Sequence, residues 1–260
     1  MQNYLSESKI RDEICNVGQK MYDKGFVAAN DGNISVRLKD DIIIVTPTGV
    51  SKGEMDPDSL VKMTLDGEII SGNSQPSSEV KMHIEVYKQS LDIRAVAHAH
   101  PPISTAFAVA RQPLDRPIVS EAILTLGVVP VADYATPGTH EVPDSIKPFV
   151  KGYNAVLLAN HGLLTWGNEL MQAFFRMESA EQYAKIMFYL GKINEPQELN
   201  CANVAELVKQ RENMGVATGG SHPCEVGTNN NRFDSLKTES EVEELINEIA
   251  KRVLEELNKK

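Results

Sequence analysis

The stretch AVAHAHPPIS, residues 95–104, decides how the chain is read. An apolar run carries His98 and His100 with one residue between them, then stops at two prolines. In a strand, residues two apart point to the same face, so the two imidazoles project in parallel. Prolines end such a strand and are tolerated in the first turn of a helix that follows. Imidazoles spaced this way can hold one zinc ion through two ring nitrogens. Two histidines alone are weak evidence, because surface or hydrogen-bonded histidines are commoner. A third ligand has to come from elsewhere.

The chain has six histidines. His140 and His222 fall in loop-like stretches. His161 ends a buried apolar run, AVLLANHG, and Gly162 follows it. There a backbone turns and a side chain can enter a cleft. Three histidines leave an open coordination position, as catalytic zinc requires. Glu79 closes the string PSSE at the start of a helical pattern and is expected in the first turn. Its plain reading is an acid favoured by the helix dipole. The sharper reading takes the whole turn, where free N–H groups and the hydroxyls of Ser77 and Ser78 form an anion site. Glu79 would then stand beside a bound phosphate, placed to move a proton. Two glycine-containing turns, ANDGNIS (29–35) and TPTGVSKG (46–53), offer backbone N–H groups of the same kind, and each could equally be an ordinary hairpin turn.

Outward from these motifs, residues 4–24 have helical apolar spacing and stop at Gly25. Residues 33–38, 42–46, 60–64 and 69–70 read as strands joined by turns. The period changes to 3.6 after residue 77, with Val80, Ile84 and Tyr87 or Leu91 on one face. Strands are expected at 95–100, 128–132 and 155–159, and helices at 101–111, 169–190 and 204–212. This mixture, without a strict βαβ repeat, predicts a layered α/β domain.

The formal net charge is −10, which argues against a broad basic face for nucleic acid. No apolar run approaches the roughly 20 residues of a membrane span. Three scattered cysteines form no disulfide framework, and the expectation is a soluble cytoplasmic protein.

The strings GNISVR, TPTG, SSE, AHAHPP, YATPGT and NHGLLTWG, in this order over residues 4–214, resemble the class II aldolase/adducin family. The resemblance implies a central, mainly antiparallel sheet flanked by helices. It implies one zinc per subunit on His98, His100 and His161, with Glu79 as catalytic acid/base and as a fourth ligand in the absence of substrate. Gly32, Asn33, Thr48, Gly49, Ser77 and Ser78 match positions that hold the phosphate of dihydroxyacetone phosphate. The implied reaction is reversible cleavage of a ketose 1-phosphate, L-fuculose 1-phosphate first among them, to dihydroxyacetone phosphate and lactaldehyde. Family members are typically homotetramers with active sites at subunit interfaces. Two tyrosines of the aldolase pattern are missing: Glu121 lies near the position of one, and Met214 corresponds to the other. The residue that protonates the aldehyde oxygen is therefore open, with Glu121 a candidate. Epimerases and dehydratases of the same superfamily, and a non-catalytic adducin-like binding module, are the rival readings.

After Met214 the composition turns to Gly, Asn, Ser and Thr, which reads as a flexible linker over 215–238. Residues 239–260 form an amphipathic pattern, acidic near the start and basic at the end. That segment lies outside the family resemblance. It resembles the encapsulation peptides that direct enzymes into bacterial microcompartments, with a shell protein as partner.

Overall fold

The computed structural model describes residues 5–216 and 218–222. The β-branched run after Gly32 forms β1 (Asn33–Lys39), followed by β2 (Ile42–Val45), β3 (Val61–Thr64) and β4 (Ile69–Ser71). The histidine stretch forms β5 (Ala95–Ala99), and β6 (Val131–Ala132), β7 (Ala155–Leu158) and β8 (Gly162–Gly167) complete one eight-stranded sheet. Its order is β4-β3-β2-β1-β5-β8-β7-β6, and only the β6–β7 pairing is parallel. The expected mainly antiparallel sheet flanked by helices is the architecture found.

The helices are α1 (Glu7–Asp23), α2 (Val80–Gln89), α3 (Pro102–Val109), α4 (Ser120–Thr125), α5 (Glu141–Val150), α6 (Leu170–Ile193) and α7 (Cys201–Asn213). In α1, Ile10, Ile14, Val17 and Met21 recur at helical spacing and are buried, and Gly25 ends the segment in a left-handed conformation. They join Ile34, Ala97, Phe174 and Met177 in the core on one face of the sheet. The other face packs Val96, Val156 and Leu164 against Met82 and Val86 of α2 and Val142 and Ile146 of α5. Period-2 alternation in the central strands therefore feeds two cores, one on each side.

Several local expectations are corrected. Glu79 is the N-cap residue of α2, one position before its first turn, and Ser77 Oγ accepts the Glu79 N–H at 3.3 Å. The buried face of α2 is Met82, His83, Val86 and Tyr87, while Leu91 lies beyond the helix and is exposed. His100 sits just past the end of β5. β6 is shorter than expected, and α4, α5 and β8 were not anticipated. Cys201 is disulfide-bonded, whereas Cys15 is free. Residues 218–222 do not behave as linker: Gly219 bonds Gly152 and Val128 through the backbone, and His222 is buried. The remainder of the expected linker and the helix at 239–260 lie outside the described residues. Among the described residues, no helix is long and apolar enough to cross a membrane.

Candidate metal centre and its acid/base

His98 is in register with Asn33 on one side and Leu164 on the other, at the centre of the sheet. Its ring is fully buried, and its Nδ1 donates to the Leu163 carbonyl at 3.0 Å. That bond leaves Nε2 bare. His100 turns its Nδ1 to Asp31 Oδ2 at 3.3 Å, which likewise frees Nε2. The two Nε2 atoms are 3.2 Å apart, so two lone pairs face each other unless a proton or a cation lies between them.

His161 joins them from the turn between β7 and β8. Leu158 pairs with Gly162 across a three-residue connection, in which Asn160 is left-handed and the His161 N–H bonds Leu158 O. Gly162 is required here: a Cβ would lie 2.5 Å from Ala99 O and 2.6 Å from the His100 ring. Nitrogens of the three imidazoles lie within 4.8 Å of one another. A cluster of mutually facing lone pairs, with outer nitrogens held by a carbonyl and a carboxylate, fits a divalent metal of the zinc type.

Glu79 completes the group. Its Oε1 lies 3.0 Å from His161 Nε2 and its Oε2 3.5 Å from His98 Nε2, while Asn33 Nδ2 donates to Oε2 at 2.8 Å. Burial pushes the carboxyl up, but His98, His161 and the Asn33 amide outweigh it and hold it well below the usual carboxylate range. Burial lowers His98 to about 3 despite the upward pull of Glu79, in the direction of the neutral imidazole that a ligand requires.

The segments of the expected phosphate site converge beside this group. Thr46 N bonds Ile34 O, Ser77 N bonds Thr46 O, and Thr48 N bonds Gln75 O, placing 32–33, 46–49 and 75–78 side by side. Gly32 and Gly49 are both left-handed, and Thr48, Gly49 and Ser78 are exposed. Asn33 is buried with its amide on Glu79, so its side chain is committed to that carboxylate as well as lying in the expected cradle. Glu121 is exposed on α4 and lines a separate pocket of about 430 Å³ with Glu178, Tyr183 and Lys185, a pocket that includes none of the histidines. Met214 is exposed at the end of α7, and His140 and His222 take no part in the cluster.

Sequence reasoning missed three contributors. Asp31, inside ANDGNIS, orients His100 across 69 residues of chain. Lys52 is buried beneath the TPTG turn, where it ties Asn30 O and Val50 O together at 3.1 and 2.6 Å. His83 is buried one helical turn beyond Glu79. Only Asp31 left a signal, as a polar side chain in a glycine turn.

The chain thus combines a mainly antiparallel sheet with three converging histidines and a carboxylate beside them. The chain belongs to the class II aldolase/adducin family: the family model for the class II aldolase and adducin N-terminal domain matches residues 12–188. It is similar to the 3-oxo-tetronate 4-phosphate decarboxylase of Pectobacterium atrosepticum, 34% identical over 206 residues, or 78% of this chain and 94% of the relative. It is also 35% identical over 209 residues to the 5-deoxy-D-ribulose 1-phosphate aldolase of Bacillus thuringiensis serovar kurstaki, covering 80% of this chain and 97% of the relative. A solved structure of L-fuculose 1-phosphate aldolase superposes with a TM-score of 0.73 at 32% identity, covering 82% of this chain and 100% of that one.

Proposed function

We propose that the chain is a zinc-dependent lyase that cleaves a ketose 1-phosphate, in the first instance L-fuculose 1-phosphate, to dihydroxyacetone phosphate and an aldehyde. The observation that carries this reading is Glu79, an ionised carboxylate set between His161 and Asn33 at the edge of the histidine cluster. His98, His100, His161 and, before substrate arrives, Glu79 would hold the metal, which polarises the substrate ketone as negative charge develops on it. In cleavage a base contributed by a neighbouring subunit would take the proton of the C4 hydroxyl, the C3–C4 bond breaks, and its electron pair moves into the C2 carbonyl. Glu79 takes the proton from C3 in the condensation direction, and in cleavage it returns one drawn from solvent to C3 of the enediolate. Thr48, Gly49, Ser77, Ser78, Gly32 and Asn33 bind the phosphate, converting binding energy at the nonreacting end into orientation.

A second reading has its own support. A 3-oxo-tetronate 4-phosphate loses CO₂ from the same carbon, giving the same enediolate, and Glu79 again supplies the proton. That reaction needs no base for a departing aldehyde, and among the described residues Glu121 stands in a different pocket from the histidines. The 34% identity to such a decarboxylase supports it as much as the 35% identity to a ketose 1-phosphate aldolase supports the first reading. Both substrates, assayed side by side with and without a chelator, decide between them. Aldehyde release from the ketose phosphate, lost on chelation, supports the aldolase. CO₂ release alone overturns it in favour of the decarboxylase.

A homotetramer with sites at subunit contacts would supply the missing proton donor from a neighbour. Residues 239–260 would dock on a microcompartment shell protein. Unchanged shell co-purification after their deletion would remove that part of the proposal.

A further inference from the structure

Between β1 and α2 runs a series of polar contacts to which the reaction above assigns only the first member. Alternate residues of a strand recur about every 6.7 Å on one face, and residues four apart on a helix about every 6 Å, so the two series stay in step. Asn33 Nδ2 meets Glu79 Oε2 at 2.8 Å, Ser35 Oγ meets His83 Nδ1 at 2.7 Å, and Arg37 Nη2 donates to Tyr87 O at 2.7 Å. Ser35 Oγ also meets the Tyr87 hydroxyl at 2.8 Å. Asn33, Ser35, Arg37, His83 and Tyr87 are all buried. Two buried atoms among these first contacts have no partner: Asn33 Oδ1 and His83 Nε2.

Their chemistry is complementary. Asn33 gives its N–H to a carboxylate, so Oδ1 is an acceptor turned elsewhere. If Ser35 donates its hydroxyl to His83 Nδ1, the imidazole proton sits on Nε2, a buried donor. The other tautomer would leave two buried acceptors unsatisfied in the same region, the costlier arrangement. We propose that His83 is a positioning residue for the acid/base: its Nε2–H serves Asn33 Oδ1 through one enclosed water and holds the Asn33 amide on Glu79. A donor chain then runs from the Tyr87 hydroxyl through Ser35, His83 and Asn33 to Glu79 Oε2. Each bond polarises the next, strengthening the hydrogen bond that fixes the carboxylate. Burial keeps His83 neutral, with its pKa lowered to about 4, as this chain requires.

The inference rests on Glu79 as the group that moves the C3 proton, and that step can be read without any aldehyde. The metal-loaded protein is incubated with dihydroxyacetone phosphate in D₂O, and loss of the C3 proton signal is followed by NMR. His83→Leu is expected to slow exchange about tenfold to a hundredfold, the usual loss when a partner of a site residue is removed. Metal content and the concentration of dihydroxyacetone phosphate at half-maximal rate should stay near wild type. His83→Gln, which can still accept from Ser35 and donate to Asn33, should recover most of the rate. In an Asn33→Ala background, His83→Leu should cost nothing further. Wild-type exchange in His83→Leu, no recovery in His83→Gln, or fully additive losses would each overturn the inference. If the wild-type protein exchanges no proton, the Glu79 assignment itself fails, and this inference falls with it.

Discussion

The two faces of β1 make different demands on their side chains. Ile34, Val36 and Leu38 face the core built by α1 and α6, where shape and volume decide the outcome. Asn33, Ser35 and Arg37 face α2, where each buried polar group needs a named partner. One strand thus holds the fold with one face and the proposed acid/base, Glu79, with the other. The apolar face should tolerate changes of shape at a cost in stability alone. The polar face should lose function at a modest cost in stability.

Removing a histidine should have the largest effect. His161→Ala takes one of the three proposed histidine ligands and a partner of Glu79, so the purified protein should lose its metal and nearly all activity. Metal analysis alongside an assay checks this, and a full complement of metal in the variant would break the contrast. Ile34→Ala should come next, costing about 2–5 kcal/mol in urea unfolding while the folded fraction keeps its turnover. A loss of turnover per folded molecule would show that the two faces are not separable. Ser77→Ala removes a hydroxyl from the proposed phosphate cradle and should raise KM about tenfold with little change in kcat, the scale of one hydrogen bond to a charged group.

The smallest effect is the pH response of the polar side. His83 and His98 have folded pKa values of about 4 and about 3, below their ordinary 6.5. The folded state therefore binds fewer protons than the unfolded state as pH falls below 6.5. Stability from these groups is full above that pH and is lost as pH drops toward 4 and then 3. Thermal melting of the metal-free protein from pH 7 to 4 should show a falling midpoint, and the fall should be smaller in His83→Gln.

The histidine cluster was legible in the sequence because its signals are local. H-x-H on an apolar run and a histidine before glycine each announce a side chain at a strand end. The sheet was legible for the same reason, through short runs of Val and Ile between turn residues. What stayed hidden depended on distant partners or on masked local signals. Asp31 and His83 become meaningful only when β1, β5 and α2 meet. The pattern of α5 is obscured by Pro143 and Pro148, the second of them inside the helix. β8 goes unread in the sequence because only three residues separate it from β7. Glu79 lies one residue before the first turn in which the sequence pattern sets it, because Ser77 caps the turn before the helix rather than the helix itself.

The central claim is that a three-histidine metal centre and Glu79 together move a proton at C3 of dihydroxyacetone phosphate. Comparing wild type with Glu79→Gln in D₂O, with the metal in each quantified, tests it most directly. The account predicts about one zinc per subunit in both proteins, with exchange in the wild type slowed in the variant about a hundredfold or more. Equal exchange in the two proteins at equal metal content would contradict it.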